Sequence, residues 1–326
     1  MKTDYEFLEA IGKGSYANVF SAVIIKTGEN VAIKQLFVSN NIEKQKEILR
    51  EAMIMKECSN HNNIIRFIDV FSSHSSFSIV MELAPWNLRD IICDINKPMN
   101  DNFVRTIFQQ IIYGLQYLHE EKSVIHCDIK PENILIKTSS KEGMSELTVK
   151  IADFGQASLS NKHMRNNNVG TRWYRSPELL LGSQNYDSSI DLWSFGSILA
   201  EYYTGLPIFN GITDLEQIYL IINILGLPDT NEYKEWNLLP DVKKLSFFEN
   251  NEVSHLEEHI SCAPPQVIEI LKSLLQINPN KRKTTTELLK NPFFAWPLNY
   301  FKIHYKFKKV IAPKLVHNNF IFTNSK

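Results

Sequence analysis

Over the first 83 residues the apolar positions gather into short β-branched runs. These are Val19-Phe20, Val31-Ala32-Ile33 closed by Lys34, and Phe77-Ser78-Ile79-Val80-Met81. Runs of this length and composition predict strands. One stretch breaks the pattern: across residues 42–57, Ile48, Leu49, Ala52, Met53 and Met55 recur at close to helical spacing. A small sheet with one helix is the natural reading. Ala84-Pro85-Trp86-Asn87 then punctuates the chain. Beyond it, residues 103–119 have a helical period, residues 123–182 read as loop-rich, and helical periods return at 189–203, 214–225 and 265–276. Residues 228–262 are polar and weakly periodic, an insertion expected to hold little regular structure. No internal repeat is present. The predicted class is α+β, a mainly β N-terminal part followed by a larger, mainly α part.

Composition narrows the function without naming it. The chain has 326 residues, 44% hydrophobic and 22% charged, enough apolar material for one large core or two packed ones. A formal net charge of -1 argues against a nucleic-acid binder. Residues 1–5 lack the apolar run of a signal peptide, and nowhere do about 18 apolar residues run together, so no membrane span is expected. Cys58, Cys93, Cys127 and Cys262 are scattered without a paired motif, as in reduced proteins of the cytoplasm or nucleus. After Pro292 the chain is basic and aromatic, with Lys302, Lys306, Lys308, Lys309, Lys314 and Lys326 and no Asp or Glu. Such a tail could dock on an acidic partner or a membrane surface. The expected arrangement is an extended segment packed back on the larger part.

The first chemical signal is Ile11-Gly12-Lys13-Gly14-Ser15-Tyr16-Ala17-Asn18-Val19. Two glycines spaced by one residue let a backbone turn approach phosphates closely, because no Cβ obstructs it. Alone this is weak, and no Gly-Lys-Ser/Thr triplet opens a helix as in a P-loop. Downstream, Lys34 ends an apolar strand, where burial is costly unless the charge is paired. Glu51 on the following helix is the candidate partner; the plain alternative is a solvated glutamate. The strongest signal is Val124-Ile125-His126-Cys127-Asp128-Ile129-Lys130-Pro131-Glu132-Asn133-Ile134-Leu135, followed by Ile151-Ala152-Asp153-Phe154-Gly155. It offers a carboxylate for an attacking hydroxyl, a lysine for a transferring phosphate, and an amide and a carboxylate for a metal ion. Phosphoryl transfer needs that set, since its catalysis is mostly alignment and charge neutralisation.

With these motifs in order, the chain from about Tyr5 to Phe294 resembles the eukaryotic protein kinases. The resemblance implies a bilobal fold: an N-lobe of about residues 1–83, a hinge at 83–87, a C-lobe of about 88–294, and a tail of 295–326. It implies ATP and Mg²⁺ as cofactors. Ile11, Gly12, Lys13, Gly14, Ser15, Tyr16, Ala17, Asn18 and Val19 would cover the phosphates. Lys34 would hold them and pair with Glu51. Asp128 would take the proton of the attacking hydroxyl, Lys130 would neutralise the γ-phosphate, and Asn133 and Asp153 would ligate the metal. Val19, Ala32 and Leu135 would sandwich adenine with Met81 as gatekeeper. Main-chain groups of Glu82, Leu83 and Ala84 would bind the base, and Asn87 would reach the ribose. Glu178 is expected to pair with Arg282, and Asp191 to anchor the catalytic loop from below.

Lys130, two residues after Asp128, marks serine/threonine specificity in this family. Thr171-Arg172-Trp173-Tyr174-Arg175-Ser176-Pro177-Glu178-Leu179-Leu180-Leu181-Gly182 and Gly205-Leu206-Pro207-Ile208-Phe209-Asn210-Gly211 look like the cyclin-dependent and MAP kinase group. Residues 214–218, 225–229 and 239–247 are most similar to cell cycle-related kinase. Protein substrates follow, with Ser-Pro or Thr-Pro expected, Arg175 shaping the proline pocket and Gly170 turning a carbonyl aside at low cost. Glycine at that place is also found in kinases without this preference. A cyclin or other activator is an open expectation, because the helix around Glu51 lacks the cyclin-contacting signature. Two departures coincide. Cys127 stands where relatives have an arginine that clamps a phosphate, and Asn166 stands where they have the phosphorylated threonine. Activation without a phosphate at that position is therefore expected, and Ser158 and Ser160 are the only other hydroxyls between Phe154 and Thr171. The alternative to an enzyme is a pseudokinase scaffold, disfavoured because Lys34, Glu51, Asp128, Lys130, Asn133 and Asp153 are all present.

Overall fold

The structure is a computed structural model that describes residues 4–13, 17–37, 42–73, 76–141, 144–160, 166–245, 253–295, 305 and 307. The chain opens with β1 (Tyr5–Lys13), β2 (Ala17–Ile24), β3 (Asn30–Phe37), α1 (Ile42–Cys58), β4 (Phe67–Ser72) and β5 (Ser76–Glu82). The five strands form one antiparallel sheet in the order β1-β2-β3-β5-β4. The three expected runs lie in β2, β3 and β5. Sequence pattern misses β1 and β4; in β1 the apolar pairs Phe7-Leu8 and Ala10-Ile11 are broken by Glu9, and most of the strand is exposed. Alternation divides the sheet. Val31 and Ile33 join Tyr5, Ala22 and Val80 in a small core on one face, whereas Ala32 and Lys34 face the other way. Helix α1 buries Ile48, Glu51, Ala52, Met55 and Cys58, a stripe at helical spacing with one carboxylate inside it.

The larger part follows as β6 (Trp86–Asn87), α2 (Leu88–Ile92), α3 (Asp101–Gln116), β7 (Val124–Ile125), β8 (Ile134–Lys141), β9 (Met144–Ile151) and β10 (Ser158–Leu159). It continues as α4 (Pro177–Leu180), α5 (Ser189–Thr204), α6 (Asp214–Leu225), α7 (Leu256–His259), α8 (Pro265–Leu274) and α9 (Thr285–Leu289). The core runs through α3, α5, α6 and α8, and α5 is buried at almost every position. The loop-rich reading of residues 123–182 is corrected by β8 and β9, which pair from Ile134↔Ile151 to Lys141↔Met144 with β6 at their edge. Their signal is a period of two, with Ile134, Ile136, Val149 and Ile151 buried, diluted by the lysines and hydroxyl residues between them. Among its described residues the insertion holds only short elements, single turns at Lys234–Leu238 and Val242–Lys244 and the four-residue α7. It is nonetheless anchored, because Tyr233, Trp236, Leu239, Val242, Leu256 and Ile260 enter the core. Tyr305 and Phe307 of the tail also pack against that core.

Candidate active site

Strand register builds the roof of the site. Gly12 pairs with Val19, and Val19 with Lys34, across β1, β2 and β3. Ala32 pairs with Met81 on β5. Because side chains alternate along a strand, Ala32 and Lys34 point the same way, into the space beneath the sheet. There Lys34 Nζ meets Glu51 Oε1 at 2.7 Å and Asp153 Oδ1 at 2.8 Å. Glu51 is buried rather than solvated, so the paired reading of this residue holds. Burial alone would favour the neutral amine, but the charges of Asp153 and Glu51 outweigh it and raise the Lys34 pKa. The carboxylates diverge. Burial pushes Glu51 up despite Lys34. For Asp153 the pull of Lys34, helped by His126 and Lys130, overcomes burial and holds it below the ordinary carboxylate range.

A second polar ring surrounds Asp128, which is itself buried. Its Oδ1 accepts the Thr171 N–H at 2.9 Å and the Thr171 hydroxyl at 2.8 Å. Its Oδ2 accepts Lys130 Nζ at 2.7 Å and Asn133 Nδ2 at 3.2 Å. Lys130 Nζ also donates to Thr171 Oγ1 at 3.0 Å. Asp191 supports the loop from α5, as expected: its carboxylate accepts the N–H groups of His126 at 2.8 Å and Cys127 at 2.9 Å. Cys127 and Asp153 have φ of 66° and 69°, left-handed values that are rare for residues with a side chain. Such strain persists only where the surroundings over-determine it. Cys127 and Asp153 lie in or beside the two rings; the third non-glycine residue with a left-handed φ among the described residues, Ser123 at 53°, precedes β7.

The rings border a cleft of about 600 Å³ between the sheet and the larger part. It is lined by Ile11, Gly12, Val19, Ala32, Lys34, Glu51, Met81, Glu82, Leu83, Ala84, Asn87, Asn133, Leu135 and Asp153, fourteen of the residues the sequence nominates. Gly14, Ser15 and Tyr16 lie outside the described residues. Lys13, Ala17 and Asn18 are not in the lining; Lys13 pairs with Asn18 at the far ends of β1 and β2, past the roof. Asp128 and Lys130 sit below the lining, against Thr171. Glu82 presents only its main chain: its carboxylate turns away to Lys137 at 2.7 Å and Lys150 at 2.9 Å. Asn87 spends its side-chain oxygen capping α2, accepting the Asp90 N–H at 3.0 Å.

Sequence reasoning did not nominate Thr171, which closes the ring around Asp128, nor Trp86 and Asp90, which line the cleft. The Thr171 signal was its place directly after Gly170. Nothing in local composition marks Trp86 or Asp90. The donor set suits a magnesium–nucleotide complex. The nitrogen of the Asn133 amide is committed to Asp128, to the backbone oxygen at 2.8 Å and the carboxylate, so its oxygen is the group left to offer. Among the described residues no group of three or more His, Cys, Asp and Glu could cage a metal. Two oxygen donors match an ion that keeps waters and takes phosphate oxygens.

The segment beyond Asp153 rests on a small apolar cluster of Ile125, Cys127, Val169, Leu179, Tyr186 and Ile190. Asn166, at the position of the missing threonine, accepts the Tyr186 hydroxyl on its carbonyl at 2.9 Å. Asn167 Nδ2 donates to Gly182 O at 3.2 Å. Arg50 of α1 donates to the Ala157 carbonyl, tying that helix to the segment. Gly170 has φ of +81°, and a Cβ there would lie 2.8 Å from the Cys127 carbonyl oxygen, so only glycine fits. Its own carbonyl accepts Arg175 Nη2 at 2.8 Å. The segment ends in the expected ion pair, Arg282 Nη1 and Nη2 each 2.7 Å from a Glu178 oxygen, both side chains buried.

The protein kinase domain model matches residues 5–294. Cyclin-dependent kinase 20 of Danio rerio is 34% identical over 296 residues, covering 89% of this chain and 83% of the relative. Cyclin-dependent kinase-like 4 of Mus musculus is 34% identical over 292 residues, covering 89% and 83%. Cell division control protein 2 homolog 1 of Trypanosoma brucei brucei is 32% identical over 311 residues, covering 90% and 99%.

Proposed function

The chain belongs to the protein kinase family, as a serine/threonine kinase of the cyclin-dependent kind, and from that premise we propose that it phosphorylates serine or threonine followed by proline. The likeness to cell cycle-related kinase expected from sequence is met by the cyclin-dependent kinase 20 relatives. When bound, ATP with Mg²⁺ supplies the transferable phosphoryl group and offsets its charge. The residues then divide the work. Lys34, fixed by Glu51, holds the phosphates; Asn133 and Asp153 present oxygens to the cation. Asp128 orients the acceptor hydroxyl and takes its proton, and Lys130 faces the developing charge. Thr171 occupies the hydrogen bonds that an acceptor hydroxyl would take from Asp128, so it marks where the substrate enters. In this reading residues 1–294 are the catalytic domain and 295–326 a tail, and the protein works in the cytoplasm or nucleus.

The observation that carries the proline preference is the bond from Arg175 to the Gly170 carbonyl. A residue after the acceptor would normally offer its N–H to such a carbonyl, which is already occupied here. Proline has no N–H and loses nothing; any other residue leaves a donor unpaired, at about 1–3 kcal/mol. Regulation follows from the same segment. The Lys34–Glu51 pair is closed in the chain by itself, and apolar packing around Cys127 stands where a phosphate clamp would be. Ser158 is buried and paired to β7, a poor phosphate acceptor without prior opening. Activity therefore needs no phosphate at residue 166. A cyclin or other activator would act by holding α1, whose outer face exposes Ile42, Leu49 and Met53. The test is transfer from ATP·Mg²⁺ to a serine/threonine peptide library, wild type beside Asp128→Asn. Transfer concentrated on Ser-Pro and Thr-Pro peptides and reduced about 10²–10⁴-fold in the variant is expected. Equal transfer to Ser-Ala peptides would remove the proline assignment, and no loss in the variant would remove the role of Asp128.

A further inference from the structure

Trp86 is where the cleft meets the tail. Trp86 is one of the residues that line the cleft, and the two-residue strand that holds it pairs Trp86 with Ile136 and Asn87 with Leu135, itself a lining residue. The indole stacks with Phe307, ring centroids 6.0 Å apart and planes inclined by 26°. Phe307 in turn meets Tyr305 edge-on at 4.9 Å. Tyr305 packs edge-on against Phe103 in the first turn of α3 at 5.7 Å and donates its hydroxyl to Asp94 Oδ2 at 2.7 Å. Both tail residues lie beyond residue 294, where the family match ends. A chain of four rings, tied at Tyr305 to an aspartate, thus ends on Trp86, a residue of the cleft wall.

We infer that Phe307 is a positioning residue for the nucleotide, fixing Trp86 at the edge of the cleft through its stack on the indole while Tyr305 anchors it. The inference rests on the kinase reading of that cleft. A side chain on a two-residue strand has little backbone pairing to fix it. Stacking restricts the indole to one orientation, and a wall ordered before binding costs less on binding. The effect falls on nucleotide affinity and not on the transfer step, because Asp128, Lys130 and Thr171 lie in a different ring of contacts.

The experiment compares full-length wild type, Phe307→Ala, Phe307→Tyr and Tyr305→Phe, using titration calorimetry with ATP and Mg²⁺ and steady-state kinetics. Phe307→Ala is expected to weaken ATP binding and raise the KM for ATP about two- to tenfold. Its kcat and peptide KM should stay within about twofold, the scale below which one stacked ring is not missed. Phe307→Tyr should restore affinity, and Tyr305→Phe should give a smaller loss. Wild-type ATP affinity in Phe307→Ala, whatever its melting temperature, would overturn the inference alone. Failure of the wild type to bind ATP would overturn the kinase reading and this inference with it. If Phe307→Ala does not fold, Phe307→Leu keeps apolar volume without the ring and reads the same difference.

Discussion

Cys127 and Asp128 are neighbours in the chain and stand in opposite surroundings. Asp128 sits in a ring of Lys130, Asn133 and Thr171, every contact a charge or a hydrogen bond. Cys127 turns into an apolar cluster with Val169, Leu179 and Tyr186. The left-handed φ of Cys127, held by the two N–H bonds to Asp191, sends adjacent side chains to such different places. The difference separates two kinds of constraint. The catalytic ring has no substitute for its residue types, because phosphoryl transfer needs those charges at those points. The base of the segment only has to be held, and packing can do there what a clamped phosphate does in related kinases. One region is fixed by chemistry and the other by stability.

The largest effect belongs to the first region. Lys34→Met keeps the length of the side chain and removes the cation between Glu51 and Asp153. Glu51 already has a raised pKa, so it can take a proton instead of remaining a buried, unpaired charge. The fold should survive while kcat falls by about 10²–10³, the scale of losing one preorganised charge partner. Single-turnover transfer and a thermal melt measured together check this. Loss of both fold and activity would mean that the ion pair is a structural element, and the contrast between the two regions would disappear.

A smaller effect probes the second region. Val169→Asp places a carboxylate in the apolar cluster, next to Gly170. The segment should loosen, and kcat/KM for a peptide should fall about tenfold, corresponding to roughly 1.4 kcal/mol. ATP affinity should be unchanged. In parallel, phosphatase treatment of the wild type should leave its activity within about twofold, since no phosphate supports the segment in this reading. A kinase silenced by the phosphatase, with a stoichiometric activating phosphate then found at Ser158 or Ser160, would show that packing around Cys127 does not suffice.

The residues nominated around Asp128 are legible in the sequence because they are local: Asp128, Lys130 and Asn133 lie within six positions, and Asp153 opens its own short motif. Helices α1, α5 and α6 are legible for a similar reason, since their spacing is a property of one segment. What was hidden depends on distant partners. β1 is exposed over most of its length and becomes a strand through pairing with β2. β8 and β9 define each other by register. Trp86 gains its place from Phe307, more than two hundred positions away, and Thr171 from Asp128. The Cys127 and Asn166 departures were visible as substitutions, but the cluster that replaces the clamp needed Leu179, Tyr186 and Ile190 brought together in space.

Glu82 offers the mildest test, because it belongs to the cleft by its main chain and to the support by its side chain. Burial would raise its pKa, but hydrogen bonds from Lys137, Lys150 and the Arg66 N–H outweigh that, and it lies below the ordinary glutamate value of 4.5. A group depressed in the folded state contributes stability above its unfolded pKa and loses it as pH falls through the folded one. The contribution of Glu82 is therefore complete at neutral pH and begins to fade only below about 4.5. Glu82→Gln leaves Lys137 on β8 and Lys150 on β9 without their shared carboxylate. The expected cost at pH 7 is about 1–3 kcal/mol, read as a lower urea midpoint. The difference from wild type should shrink as the pH falls below 4.5 and the wild-type carboxylate also becomes neutral. A gap that stays constant over that range would mean that Glu82 acts through shape and hydrogen bonding and not through charge. The join between β5 and the β8–β9 hairpin would then resemble the packed base of the segment more than the catalytic ring.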